Sequence, residues 1–332
     1  MLGTLDASRS SWPEEHRPRL SLVIPCYNEE ASLVELHRRV RSVCEAIGPE
    51  AYEVILVNDG SSDGTWDVIK GLVAGDGGVV GVNLSRNHGH QLALSAGLRF
   101  ARGERVAILD ADLQDPPELL PEMVAIMAST NADVVYGRRC SRPGESMFKR
   151  ASAYLFYWLI SKLSRTDIPS NVGDFRVLTR RVIDVLNSMP EQHRFLRGMI
   201  PWIGFHQVAF DYDRAPRHAG NSHYPLGRMV HLAIDAITSF SVVPLRLASV
   251  VGFLVFAVSL ASSLSVGGLA LAGARVPPWT IVLVVLLLLS GIQMLVFGIL
   301  GEYLGRIHHQ TQSRPLFVVD QVCGGERGRV DV

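Results

Sequence analysis

Cysteine is scarce. Cys26, Cys44, Cys140 and Cys323 are the only four in 332 residues, and none forms a CxxC pair. That spacing excludes a disulfide scaffold and a cysteine zinc site, and it suits a reducing compartment. Net charge is also missing, with 32 basic residues against 32 acidic ones, which argues against a nucleic-acid surface spread over the whole molecule. Lysine is nearly absent: Lys70, Lys149 and Lys162 leave 32 − 3 = 29 of the basic residues as arginine. Residues 1–19 hold charges and Pro13 but no apolar core of roughly 7 to 15 residues, so they are expected to be a disordered tail and no signal peptide. No GxGxxG follows the first apolar strand and no GxxxxGK[ST] occurs anywhere. A dinucleotide-binding dehydrogenase and a P-loop enzyme are therefore disfavoured.

Apolar residues are what the chain has in excess, with a mean hydropathy of +0.20. The excess is localised. Residues 247–274 form 28 consecutive positions without a charge, and residues 276–301 another 26, separated only by Arg275. Each run exceeds the roughly 20 residues a helix needs to cross a bilayer, so residues 246–302 are predicted to form two transmembrane helices, at about 247–273 and 278–301. Arg228 and Arg246 precede the first run and Arg306 and Arg314 follow the second, which places both flanks on the cytoplasmic side. Residues 225–245 carry an apolar stripe at helical spacing and are predicted to be an interfacial amphipathic helix. Residues 303–332 are expected to be a cytoplasmic tail, and the protein to be a multi-pass protein of the inner membrane.

The first two-thirds reads as alternating strand and helix. Short β-branched runs at 20–25, 53–58, 79–84, 105–109 and 133–136 are separated by helical patterns. The clearest is the stripe Leu33, Leu36, Val40, Val43 and Ile47, with Asn28 as the expected N-cap. Such alternation predicts a mostly parallel, Rossmann-like sheet between helices over residues 20–224. In these sheets ligands bind beyond the carboxyl ends of the strands. Those ends are polar and acidic: Asn28-Glu29, Asn58-Asp59-Gly60-Ser61, Asn87-His88-Gly89 and Asp110-Ala111-Asp112-Leu113-Gln114-Asp115.

Two carboxylates on alternate residues after a buried strand share a face, so Asp110 and Asp112 read either as solvated turn acids or as a pair that addresses one hard cation. Mg²⁺ and Mn²⁺ take such oxygen ligands together with substrate phosphates. Asp59, beside Gly60 and Ser61, reads either as a simple Asp-Gly turn or as an acceptor for a base imide or a ribose hydroxyl. A further run, Arg138, Arg139, Arg142, Lys149 and Arg150 against the single acid Glu145, is followed by the uncharged residues 151–160. It is either a solvated basic face or a grip for a lipid phosphate at the membrane, to which arginine forks are suited.

Val23-Ile24-Pro25-Cys26-Tyr27-Asn28-Glu29-Glu30, Val57-Asn58-Asp59-Gly60-Ser61-Ser62-Asp63-Gly64-Thr65 and Asp110-Ala111-Asp112-Leu113-Gln114-Asp115-Pro116-Pro117, in that order, resemble the inverting glycosyltransferase family 2 with the GT-A fold. Within it the chain is most similar to the polyprenyl-phosphate glycosyltransferases, the dolichol-phosphate mannose synthase-like group, and to bacterial bactoprenol glucosyl transferases with two C-terminal spans. The resemblance covers about residues 20–318.

It implies a fold, a GT-A catalytic domain followed by a transmembrane hairpin, and an activity: sugar transfer with inversion from a nucleotide diphosphate sugar, such as UDP-glucose, to undecaprenyl phosphate. It implies that Pro25, Tyr27, Glu29, Asp59, Ser61, Asn87, Asp110 and Ala111 hold the nucleotide, and that Asp110, Asp112 and Gln114 hold Mg²⁺ or Mn²⁺. Arg138, Arg139, Ser146, Lys149 and Arg150 would grip the lipid phosphate. Asp112 and Asp174, the latter in Gly173-Asp174-Phe175-Arg176, would be the catalytic carboxylates, Asp174 positioning the acceptor or acting as a base. A homo-oligomer, such as a tetramer, is also implied, and no nucleic-acid partner. One departure is His223, where relatives carry a Lys before Tyr-Pro-Leu. A polysaccharide synthase is disfavoured by the small number of spans and the absence of QxxRW. A catalytically inactive nucleotide-binding scaffold is the alternative from another class, and the intact acidic motifs argue against it.

Overall fold

The computed structural model describes residues 18–47, 52–139, 172–192, 194–213, 278–312 and 314–324, together with residues 254 and 261. The chain divides into two compact units, one of residues 1–158, 166–224 and 315–332, the other of residues 159–165 and 225–314.

The first unit is built on β1 (Leu20–Cys26), which is buried along its whole length. Its β-branched and aliphatic side chains fill both faces of a central strand, as expected where helices cover a sheet on two sides. Strands β2 (Tyr52–Asn58), β3 (Val79–Leu84) and β4 (Arg105–Ile108) lie beside it, and the β3-β2-β1-β4 block is parallel throughout. Helices α1 (Leu33–Ile47), α2 (Thr65–Gly75) and α3 (His90–Phe100) connect these strands. The predicted stripe of α1 faces the core: Leu33, Leu36 and Val40 are fully buried, each worth roughly 1.5–3 kcal/mol of apolar burial. Asn28 does not cap this helix. It sits at φ 56°, and its side-chain carbonyl accepts the Ser62 amide at 2.9 Å, while α1 begins five residues later.

Beyond β4 the sheet departs from the parallel expectation. A 3₁₀ turn (Pro117–Leu119) and α4 (Leu120–Thr130) lead to β5 (Val134–Arg139), followed by β6 (Val172–Thr179), α5 (Arg180–Ser188), α6 (Leu196–Ile203), β7 (Gln207–Tyr212) and, far later, β8 (Val319–Cys323). The order is β7-β5-β6-β4-β1-β2-β3-β8. Strand β6 is antiparallel to both β4 and β5, and β8 is antiparallel to β3. The sheet is therefore mixed. Sequence periodicity missed β6 because its polar positions are buried, with Asp174 1% and Arg176 3% exposed, so the usual apolar alternation is broken. The expected tail boundaries also shift. Pro18 and Arg19 already accept the Glu104 and Arg105 amides, and residues 319–323 form a strand within the segment expected to be a tail.

In the second unit, α7 (Pro278–Thr311) is one helix of 34 residues, ten longer than the predicted span 278–301. Several of its side chains lie outside the described residues. Counting the described ones alone, no helix is long and apolar enough to cross a membrane. The predicted interfacial helix 225–245 lies outside the described residues, as does nearly all of the first predicted span.

Candidate active site

The loops after β1 and β2 are zipped together at the carboxyl edge of the sheet. Ser61 Oγ accepts the Asn28 amide at 3.0 Å, Thr65 Oγ1 accepts the Glu29 amide at 2.9 Å, and Glu30 takes the Gly64 amide at 2.9 Å. Asp59, 3% exposed, reaches across to the next turn and accepts the backbone amides of His88 at 2.7 Å and Gly89 at 2.9 Å. Burial pushes its carboxyl above the usual range, moderated by those two amides. Asp59 is thus the pin that joins the second and third strand ends.

Gly60 makes that closeness possible. It has φ 63°, and a Cβ there would collide with the Arg86 carbonyl carbon and the Asn87 nitrogen, both backbone atoms that cannot swing away. Gly60→Ala should therefore cost at least about 1–2 kcal/mol of left-handed strain and part the two turns. A melting curve and amide exchange at His88 and Gly89 measure both, and unchanged protection would show that the turns need not touch.

The acidic group lies one strand over. Register pairs Ile108 with Arg176, and continuing it by two residues sets Asp110 opposite Asp174. His90, the first residue of α3, points between them, with Nε2 3.1 Å from Asp174 and 3.6 Å from Asp110. Arg197 on α6 closes the far side with a two-pronged pair to Asp174, at 2.9 and 2.7 Å. Gln91 ties the ends of this arrangement, accepting the Leu196 amide at 2.9 Å.

The two carboxylates are driven apart in acidity. Burial pushes Asp110 up to about 6, assisted by the charges of Asp174, Asp115 and Asp112 and opposed by His90. Burial would also raise Asp174, but Arg197 and His90 overcome it and hold that carboxyl well below the usual range. Partial desolvation works against a charge on His90, yet the bond to Asp174 and the charge of Asp110 keep its pKa raised. Asp110 Oδ1 is buried without a hydrogen-bond partner, an unmet acceptor that costs free energy unless a ligand satisfies it. Oxygen and nitrogen atoms of His90, Asp110 and Asp174 lie within 4.8 Å of one another. This donor set, with its orphaned oxygen, fits a divalent cation.

Residues 21–186 match the family described as glycosyl transferase family 2. The chain belongs to this family. As a family 2 glycosyltransferase, with a mixed, GT-A-like α/β sheet, it is 40% identical over 311 residues to the uncharacterized glycosyltransferase YkcC of Bacillus subtilis (93% of this chain, 96% of that one). It is 36% identical over 305 residues to the prophage bactoprenol glucosyl transferase homolog of Escherichia coli (92% and 99%). Among solved structures it is similar to S. aureus TarS 1-349 in complex with UDP-GlcNAc, 17% identical with a TM-score of 0.46 over 67% and 66% of the chains. It is also similar to glucosyl-3-phosphoglycerate synthase from Mycobacterium tuberculosis in complex with Mn²⁺, UDP and phosphoglyceric acid, 20% identical with a TM-score of 0.47 over 68% and 77%.

In this family 2 glycosyltransferase the residues expected to hold the nucleotide lie at, or just after, the carboxyl ends of β1 to β4. Pro25 is the penultimate residue of the buried β1, Tyr27 is 49% exposed, Asn87 lies in the exposed turn after β3, and Ala111 is 4% exposed after β4. Glu29 accepts the Ser32 hydroxyl at 2.7 Å. Asp112 accepts the Gln114 amide at 3.1 Å, a local turn made by the positive-φ residue Leu113 between them. Of the predicted metal group, Asp110 alone belongs to the three-residue cluster found among the described residues.

The basic run divides. Arg138 is paired with Asp211 on β7 at 2.7 Å. Arg139 is folded inward beside Asp115, 3.7 Å away, whose other oxygen accepts the Tyr212 hydroxyl at 2.6 Å. Its guanidinium lies against Gly173, where a Cβ would stand 2.5 Å from Arg139 Nη2. Ser146, Lys149 and Arg150 lie outside the described residues. Sequence reasoning missed His90, Arg197 and the tie through Gln91. The available signal for His90 was its position directly after a strand-end glycine, at the start of a helix.

Proposed function

We propose that the chain transfers a hexosyl group from a UDP-hexose, UDP-glucose being the first choice, to undecaprenyl phosphate at the cytoplasmic face of the inner membrane, with inversion. The observation that carries this reading is the 36% identity to the bactoprenol glucosyl transferase homolog over 92% of this chain and 99% of the relative, which extends well past the catalytic sheet. The geometry supports it: the loops at residues 28–30 and 59–65, the turn at 85–89 and the acidic cluster all lie at the carboxyl edge, where this class of sheet binds its ligand. The 34-residue backbone of α7, charge-free from Pro278 to Gly301, supports a membrane hairpin. A homo-oligomer remains part of the same reading.

Asp110, Asp174 and His90, with Asp112 and Gln114 adjacent, would hold Mg²⁺ or Mn²⁺, which when bound supplies positive charge against the diphosphate leaving group. The protein's own residues do the rest. The acceptor is a phosphate oxygen, already mostly ionised at neutral pH because a phosphomonoester's second pKa is about 6. No strong base is required, and Asp174, held acidic by Arg197 and His90, suits a positioning role better than proton abstraction. Arg138, Arg139, Ser146, Lys149 and Arg150 would grip the acceptor phosphate, with part of Arg139's charge already directed at Asp115.

The test is transfer by the full chain in liposomes containing undecaprenyl phosphate. We expect label from UDP-glucose in the organic-extractable lipid, lost on adding EDTA. Failure to label the lipid from any UDP- or GDP-hexose would overturn the assignment.

A further inference from the structure

Strand β8 is hydrogen-bonded to the edge of the sheet that holds the donor loops, and two of its contacts run directly into them. The first is made through Val318, the residue directly before the strand. Val318 carbonyl accepts the Ser85 amide at 2.9 Å, and the Val318 amide faces His88 Nε2 at 3.5 Å. Both hold the turn whose own amides grip Asp59.

The second is a chain of side-chain bonds crossing two strands. Asp320 Oδ2 accepts from Asn83 Nδ2 at 3.1 Å, Asn83 Oδ1 accepts from Asn58 Nδ2 at 2.7 Å, and Asn58 Oδ1 accepts the Ser61 amide at 3.3 Å. The chain has a direction. A carboxylate only accepts, so Asp320 obliges Asn83 to present its NH₂ toward β8 and its carbonyl toward β2. Asn58 must then present its own NH₂ to Asn83 and its carbonyl to Ser61. The acceptor-only group at one end therefore sets the orientation of both amides and the anchoring of the loop at the other end.

We propose that Asp320 is a positioning residue for the donor site, acting through the oriented relay Asn83–Asn58–Ser61, and that β8 is thereby a functional part of the nucleotide pocket. The inference rests on the reading above that the 59–65 loop binds the nucleotide. It is not a matter of strand stability alone, because Asp320 is exposed at a sheet edge, where a lysine is normally well tolerated.

That exposure supplies the test. Asp320→Asn keeps an acceptor oxygen, Asp320→Ala removes it, and Asp320→Lys offers only donors and reverses the polarity required of Asn83. We expect UDP affinity of the full-length protein to follow Asp ≈ Asn > Ala > Lys. Alanine should weaken binding about 3- to 10-fold, the range for a single hydrogen bond, and lysine at least as much. The KM for lipid phosphate and the melting temperature should be unchanged. Simple electrostatics predicts the opposite for lysine, since an added cation attracts a nucleotide diphosphate.

Amide hydrogen exchange of residues 59–65 in the nucleotide-free protein separates the two readings. It should rise in the Ala and Lys variants and not in Asn. Unchanged exchange would overturn the relay itself. Raised exchange with unchanged UDP affinity would overturn the link to the donor and take the loop out of the nucleotide site. If the parent protein bound no nucleotide at all, the function proposed above would fail, and the exchange pattern would still decide the relay.

Discussion

Asp110→Asn should lower kcat by roughly two to three orders of magnitude, the usual loss when one preorganised charge is removed from an active site, while leaving the protein no less stable than its parent near neutral pH. The two halves of that expectation have one cause. The Asp110 carboxyl is pushed up to about 6 by burial and by its acidic neighbours, above the roughly 3.9 of an unfolded chain. Its ionised form therefore opposes folding: the stability it contributes is complete below about pH 4 and is lost as pH rises through 6. Asparagine carries no charge at any pH and keeps the shape, so the variant should gain on the parent across that window. Melting curves from pH 4 to about 8, paired with kcat, check both halves. More than a tenth of parental turnover would remove Asp110 from the chemistry. A lower melting temperature at neutral pH would show that some other interaction compensates the buried charge.

Arg197→Ala should be the opposite case, losing stability as well as activity. Asp174 has a side chain only 2% exposed and Arg197 one 33% exposed. Removing the arginine leaves a buried carboxylate beside Asp110 with His90 still 3.1 Å away, and breaking a buried pair costs roughly 3–5 kcal/mol. The one-third exposure of the guanidinium points to the lower figure, about 3 kcal/mol. Asp174 is held below the unfolded carboxylate value, so the pair's contribution is present above about pH 4 and disappears as pH falls toward the native pKa. The stability curves of parent and variant should converge in acid. Replacing both partners, Asp174→Asn with Arg197→Met, should restore much of the melting temperature and none of the turnover. If the double variant melted as low as the single one, the ion pair would not be what Arg197 contributes.

The central fold was legible in the sequence because the block around β1 obeys a simple rule: strands buried on both faces are runs of Val, Ile and Leu, and α1 carries its apolar stripe at a helical period. Asp110 stood out for a similar reason, as one of two acids after such a run, although Asp112 closes a local turn with Gln114. What stayed hidden was anything whose meaning depends on a partner distant in sequence. Nothing around Asp59 signals that each of its oxygens accepts an amide about thirty residues away. Asp174 gives no hint of Arg197, which meets it only because α6 returns over β6. Arg139, set in a conspicuous basic run, proves to be turned toward Asp115. Strand β8 has two exposed polar residues within five positions, too short and too polar to signal a strand alone.

The distance along the chain between Asn83 and Asp320, 237 residues, also has a consequence for biosynthesis. Until β8 has left the ribosome, β3 is an outer strand with its pairing groups unsatisfied, and such a strand can template association with another chain. Pairing partners this far apart close slowly, because a large loop must be ordered before the contact repays it. Helix α7, whose first 24 residues carry no charge, is synthesised before β8, so the nascent protein carries an open sheet edge and a long uncharged segment at the same time. Ribosome-stalled or truncated products ending before residue 315 should consequently engage chaperones and self-associate through β3, even though every residue of the acidic cluster is already in place.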